Sequence, residues 1–389
     1  MNIVWISPEC PYPADTGGKI GIWKRIENLA QKDNIYLFCI NDESGEGHIS
    51  EMLGYCREVH LYKRQHSIVT IIKSIGLPYP AVSRWNAKMA SDITECCKRV
   101  EVDYIFVDFP QMIGVIPDSI KRKYKIVLHQ HNIEHLAMLS LSEKMGNPFK
   151  RVIYMTVSKQ MKRYEQKIYL NDDLFMYTFV SCSDKAYFEN EYGVSNAYLM
   201  PVGADYAFEQ QTPHTHILSY IGKMSYPANE EASLWFLKNI WQKIKENCKD
   251  AKLYLVGKDP TDRLIDFSSR FDDVYVTGTV ESVEEYYEMS QLIIIPLLTG
   301  GGVKVKLLEA LGHGKIVLTT TKGVEGTEFI ENEHIVKRDD PEGFAEACLD
   351  ILLYPERYEG MRQRAIRKIC DTYSWSAITE DFRNYLTSR

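Results

Sequence analysis

The sequence predicts an α/β protein of two doubly wound halves, each a parallel sheet covered by helices on both faces. Three observations carry this. The chain has 389 residues, more than one core comfortably serves, so two domains are expected. Short, continuous apolar runs end in polar residues, as strands buried on both faces do. Amphipathic stretches of helical length alternate with those runs.

Taken in order, "NIVWIS" reads as a buried strand, "GIWKRIENLAQ" as a helix and "NIYLFCI" as a second strand. "VDYIFVD" and "YKIVLHQH" are further strands. A long helix is expected over residues 148–169. "LFMYTFVSCS" follows as a strand and "DKAYFENEYG" as a helix. The second half repeats the rhythm. "HILSYIG" is a strand, and "NEEASLWFLKNIWQKIKEN" is a helix with Leu234, Leu237 and Trp241 at helical spacing. "AKLYLVG", "VYVTG", "LIIIPL" and "KIVLTT" are four more strands with helices between them. The polar segment Gly203–His216 reads as the linker. In such sheets ligands bind beyond the carboxyl ends of the strands.

Composition narrows the function. A net charge of -7 argues against a nucleic-acid partner. Nine cysteines, odd in number and without a Cys-x-x-Cys pair, suit a reduced, cytoplasmic chain rather than a disulfide framework or a zinc centre. The amino terminus lacks the basic and long apolar parts of a signal peptide, and no apolar run approaches a membrane span.

The most informative stretch is "LLTGGGVKVKLLEALGHGKIVLTT", Leu297–Thr320. A strand delivers the chain to three glycines, and a helix is expected to begin near Val303. Bare backbone at Gly300, Gly301 and Gly302 lets N–H groups approach an anion, and the helix end adds partial positive charge. Lys306 lies one turn in, leaning back toward the N-terminus. Glu309 follows on the same face, with Gly302 and Glu309 roughly 10 Å apart along the axis. A nucleoside diphosphate fits that span, with phosphates on the loop and Lys306 and ribose hydroxyls on Glu309. Taken by itself, a glycine turn with a solvated Lys306–Glu309 pair explains the pattern equally well; the apolar flanks favour a cleft.

These residues carry a resemblance. "GGGVKVKLLEALGHGKIVLTT" resembles the donor loop and helix of retaining glycosyltransferases of family 4, of the GT-B architecture. "SYIGKMSYPANEEASLWFL", "KLYLVGKDP", "VYVTGTV" and "YSWSAITEDFRNYL" resemble other parts of that family. The resemblance implies two Rossmann-like domains facing a cleft. Residues 1–205 would form the acceptor domain, joined by a C-terminal helix, about 375–389, that crosses back. Residues 206–374 would bind the donor. Many members carry two glutamates with seven residues between them. Glu309 matches the second, and Gly301 stands where the first would fall.

By the same resemblance, donor-binding residues are Gly17, Gly18, Gly222, Lys223, Gly301, Gly302, Val303, Lys304, Lys306 and Glu309. Lys306 and His131 are the catalytic pair. Gly17 and Gly18, in "PADTGGKIG", lie between the first strand and first helix; a tight turn there is the plain alternative. His131, in "LHQHNIEHLAM", matches the family's strand-end histidine. His131 and His135, four apart, raise a zinc site, but the His-Glu-x-x-His order is absent. Asn229 reads as a helix cap rather than a phosphate ligand.

The implied reaction is metal-independent and needs no cofactor beyond the nucleotide-sugar substrate, UDP-linked by preference. Domain closure would bring His131 to the donor sugar. The acceptor would be a glycan, a lipid-linked molecule or a protein in surface polysaccharide or glycoconjugate synthesis. The alternatives are a non-catalytic sugar-binding partner of a transferase, a nucleotide-sugar epimerase, or a phosphorylase. The basic stretch over residues 144–167 reads first as a solvated face with a core-facing stripe. Its second reading is peripheral contact with an anionic membrane at its inner face.

Overall fold

A computed structural model describes residues 1–389 except 15, 42–45, 68–74, 144–146, 171–173, 206–212 and 301. The chain divides into two compact units, Met1–Pro201 with Thr379–Arg389, and Val202–Ile378. Each is a parallel-sheet α/β domain.

The first unit holds a seven-stranded sheet in the order β3-β2-β1-β4-β5-β6-β7. These strands are Asn2–Ser7, Asn34–Ile40, Cys56–Tyr62, Tyr104–Asp108, Lys125–Gln130, Met176–Phe179 and Ala197–Leu199, numbered β1 to β7 along the chain. Every pair is parallel, and Ile3–Ile6 run beside Tyr104–Val107. The central strands are buried on both faces: Val4, Trp5, Ile105, Val107, Ile126 and Leu128 have no appreciable exposure. That double burial is why they read as continuous apolar runs. The helix Trp375–Thr387 ends on this unit. Tyr104 donates its hydroxyl to the Leu386 carbonyl at 2.8 Å, and Phe382 meets Phe106 edge-on.

The second unit holds a six-stranded sheet in the order β10-β9-β8-β11-β12-β13. Its strands, again numbered along the chain, are Ile217–Ile221 (β8), Lys252–Val256 (β9), Val274–Gly278 (β10), Leu292–Ile295 (β11), Ile316–Thr319 (β12) and Val336–Lys337 (β13). The expected amphipathic helix runs over Pro227–Phe236, passes through a π turn at Leu237–Trp241 and resumes over Gln242–Asn247. Leu237 and Trp241 are buried at that turn.

In both sheets the strand order reverses once beside the first strand: between β1 and β4, and between β8 and β11. At such a switch point neighbouring connections leave in opposite directions and open a crevice at the carboxyl ends. The glycines after β1, the turn after β8 and the loop after β11 all emerge at these points. The described helices include none long and apolar enough to cross a membrane.

Candidate functional site

In the second unit, β11 leads through Gly300 (φ 106) and Gly302 (φ 71) to a helix over Val305–Gly312. The left-handed backbone at both positions favours glycine. The helix begins two residues later than the expected Val303, and Lys304 occupies its N-cap position without a side-chain cap. Gly301 lies outside the described residues.

Lys306 reaches the end of β8. Its Nζ donates to Asn229 Oδ1 at 2.8 Å and to the Tyr220 hydroxyl at 3.1 Å. It also lies 4.3 Å from the centre of the Tyr220 ring, a cation–π contact. None of these partners is an anion. Burial therefore pulls the ammonium down to about 7, opposed by Glu309 and aided by Lys304. Among the described residues its hydrogen-bond partners are neutral groups, with Glu309 one turn on as the opposing charge.

Gly222 makes room for it. A Cβ there would lie 2.6 Å from Lys306 Nζ. The backbone at Gly222 (φ 159) also donates to the Val256 carbonyl. A Cβ on Gly257 would fall 1.9 Å from the Gly222 carbonyl oxygen. The ends of β8 and β9 thus touch through two glycines.

Glu309 is half-buried, one turn beyond Lys306. Burial raises its carboxyl, offset by the Tyr287 hydroxyl, which donates at 3.4 Å, and by Lys306. Tyr287 is fully buried and stacked on His313 at 4.3 Å. Lys306 and Glu309 are therefore each fixed by a tyrosine from a different element.

The other expected donor residues are placed differently. Lys304 is buried, with its Nζ on the Gly302 carbonyl and 4.0 Å from Glu325. Val303 is half-buried, and a Cβ at Gly326 would meet it at 3.2 Å. The Lys223 side chain is exposed and pairs with Asp259 at 3.4 Å. Its carbonyl, not its ammonium, joins the site, by accepting from Asn229 Nδ2 at 2.8 Å. Asn229 is not a helix cap, contrary to expectation: Tyr226 holds the cap position of the helix starting at Pro227. The Asn229 amide instead ties the turn after β8 to Lys306, because its oxygen has two donors to accept and its nitrogen a carbonyl in reach. Beside the loop, Leu297, Thr320, Lys322, Glu325, Phe329 and Asp339 help line a pocket of about 490 Å³.

In the first unit, His131 follows β5. Its Nε2 donates to Asp108 Oδ1 at 3.2 Å. The other Asp108 oxygen accepts from Trp5 Nε1 at 2.6 Å. Phe109 stacks flat on the imidazole, 4.2 Å away, from a left-handed backbone (φ 67) that a phenylalanine seldom adopts. His129 is fully buried and bonds Thr178 through Nδ1. Burial, with Arg25 and His131 nearby, keeps it far below its ordinary range.

Gly17 is open to solvent on its side-chain side, whereas a Cβ on Gly18 would touch Glu9 at 3.3 Å. Glu9 is raised by burial, against the pull of Lys19, Arg84 and His131. Gly21, further along that helix, faces both Arg25 and His131.

His135 does not join His131. Its Nδ1 pairs with the buried Glu165 at 2.6 Å, and Glu165 also accepts the backbone N–H groups of Glu134 and His135. Glu134 is pushed up to about 7, by burial and then by Glu165. Two groups of donor atoms have metal-like spacing among the described residues: Asp108, His129 and His131, and separately His216, Cys248 and Asp250.

Sequence reasoning missed Tyr220, Tyr287, Gly257, Trp5 and Asp108. Asp108 had a readable signal: a carboxylate closing an otherwise apolar strand. The tyrosines had none, because each acts through a partner distant in sequence.

Residues 215–353 match the family model for glycosyl transferases group 1. The chain is 23% identical to an uncharacterized 44.6 kDa protein in the cps region of Klebsiella pneumoniae, over 94% of this chain and 93% of that one. A sucrose-phosphate synthase from Thermosynechococcus elongatus superposes with a TM-score of 0.69 at 16% identity, covering 100% of both chains. HepE from Anabaena, solved with UDP and glucose, gives 0.67 at 12% identity, also over 100% of both. WaaG, a glycosyltransferase involved in lipopolysaccharide biosynthesis, gives 0.61 at 12% identity, with the same full coverage. The fold is GT-B, two Rossmann-like domains, and the family match supports a group 1 glycosyltransferase.

Proposed function

We propose that this chain is a retaining glycosyltransferase that moves a sugar from a nucleoside diphosphate sugar, UDP-linked by preference, to a glycan, lipid-linked or protein acceptor. The observation that carries the reading is Lys306: a half-buried cation at a switch point, held by neutral partners and pulled to about 7. A site built so waits for an anion. Glu309, one turn along, supplies the acceptor a ribose diol needs.

In the reaction, the bond from the anomeric carbon to the diphosphate oxygen breaks and the acceptor oxygen bonds that carbon from the same face. The acceptor proton passes to the departing phosphate oxygen. Negative charge grows on the diphosphate, where the helix start and Lys306 stabilise it. No enzyme nucleophile takes part. Charge supplied by the protein makes a catalytic metal unnecessary, so full activity in excess EDTA is expected. His131, fixed by Asp108 through Nε2, presents Nδ1 as an acceptor toward the reacting sugar. The cps-region relative supports a setting in surface polysaccharide synthesis.

The test is direct. Uridine, guanosine and adenosine diphosphate sugars are screened for thermal stabilisation, and the one that binds is assayed for transfer with anomeric analysis of the product. Retained configuration, lost in Lys306→Ala, supports the proposal. No stabilisation by any of them, or an inverted product, would overturn it.

A further inference from the structure

The helices Glu134–Glu143 and Pro148–Tyr169 form an antiparallel hairpin in the first unit. Glu165, late in the second helix, accepts from the backbone at the start of the first. Ser158 donates to the His135 carbonyl at 2.8 Å. The end of one helix and the beginning of the other therefore lie together at the opposite, outer tip.

The two ends of the second helix are unlike. Ser158, Met161, Glu165, Ile168 and Tyr169 are buried and hold its later half to the unit. At the tip, Phe149 is 80% exposed, Val152 62% and Ile153 50%. Their spacing puts all three on one face. The first helix adds Leu139 and Leu141, also exposed. Isolated exposed apolar residues are ordinary, but three on one face of a helix at its exposed end mark a contact surface.

Charge identifies what it contacts. Lys150 and Arg151 are exposed within the apolar turn. Lys159 and Arg163 continue the line of Val152, about two and three helical turns toward the body, and both are exposed. Apolar side chains come first and cations about 15 Å behind them, with Lys150 and Arg151 able to snorkel between. A bilayer bearing anionic headgroups has this layering in reverse. We propose that the hairpin docks tip-first on an anionic lipid surface, its apolar tip entering the acyl boundary and its cations meeting headgroups. A helix lying flat would need an apolar stripe along its whole length, whereas here the later half is packed into the protein. Applied to the function proposed above, and resting on it for this step alone, tip-first docking makes the acceptor lipid-linked.

The full chain is mixed, without nucleotide, with vesicles of phosphatidylcholine alone or with added phosphatidylglycerol, and bound protein is separated by flotation. The wild type is expected to float with the anionic vesicles. Phe149→Ser with Ile153→Ser should lose at least about tenfold in partitioning, since two anchors leave the acyl boundary. Lys150→Gln with Arg151→Gln should lose about tenfold or more on anionic vesicles only. All four positions are exposed, so the variants should fold, checked by an unchanged melting temperature. Wild-type protein that fails to float, or a Phe149/Ile153 variant that floats equally, overturns the proposal. So does a wild-type dimer that this variant disperses without any vesicle binding, which would make the tip a contact between copies. Nucleotide-sugar stabilisation, measured separately on the same variants, should be unchanged and reports on the transferase reading alone.

Discussion

Binding of a nucleoside diphosphate sugar should draw a proton onto Lys306. In the empty protein burial holds its pKa at about 7. A bound diphosphate places negative charge beside it and raises that value toward the ordinary lysine range. At pH 8 about 0.9 of the empty molecules carry neutral Lys306, and at pH 6 about 0.1 do. Titration calorimetry in buffers of different ionisation enthalpy should therefore report uptake of about 0.9 proton at pH 8 and about 0.1 at pH 6. Affinity is full below pH 7 and falls as pH rises, about a hundredfold between pH 6 and pH 9. The diphosphate has no ionisation of its own in that window, and the nucleobase begins to lose its ring proton only at the upper end, so the slope below that belongs to the protein.

The same shift has a stability side with its own sign. A lysine whose folded pKa lies below its unfolded value costs stability most below pH 7, and the cost disappears as pH rises to its unfolded value. The gap between about 7 and 10.5 corresponds to on the order of 5 kcal/mol. Lys306→Met removes that cost and leaves Tyr220 and Asn229 bonded to each other. It should melt higher than wild type while losing nucleotide affinity and the proton uptake together. Wild-type binding without uptake at pH 8, or uptake that persists in Lys306→Met, would refute the reasoning.

Three further outcomes are expected. Asp108→Asn should lower kcat by about tenfold or more while leaving nucleotide-sugar affinity unchanged, because it disturbs the tautomer of His131 and the contact with Trp5, both within the first unit; a matching loss of affinity in calorimetry would show a different role. Gly222→Ala should fold but lose at least about tenfold in nucleotide affinity, since the new methyl would lie 2.6 Å from Lys306 Nζ and displace it; wild-type thermal stabilisation would show that Lys306 has other room. Glu165→Ala should destabilise the first unit by about 3 kcal/mol, taking the partner from His135 Nδ1, the Tyr169 hydroxyl and two backbone donors in the interior; an unchanged denaturant midpoint would contradict this.

The central strands were legible because burial on both faces writes itself as an unbroken apolar run: "NIVWIS" and "LIIIPL" need little else. Of the four edge strands, Val274–Gly278 was read, whereas Cys56–Tyr62, Ala197–Leu199 and Val336–Lys337 were not, since one side of an edge lacks a neighbour and its sequence can stay mixed. Within the site, glycines and lysines beside a strand end were visible by spacing, whereas their restraints were not. Asn229 looked like a cap because capping is local. Its actual partners, Tyr220 and Lys306, come from a preceding strand and from a helix far along the chain. Likewise the stretch around Lys159 and Arg163 read as a basic amphipathic face. Only packing separates its anchored end, with Glu165 buried, from its exposed tip.

The glycine contact between strand ends reaches beyond the residues that would meet a ligand. Gly257 has no part in holding Lys306, yet any side chain there strikes the backbone of Gly222, the residue whose bare Cα leaves room for the lysine. A mutational survey limited to ligand-facing positions would pass over it, and an inactive variant at 257 would be misread as a folding defect. The two positions act as one unit: a side chain at 257 is accommodated only if the backbone at the end of β8 moves as well.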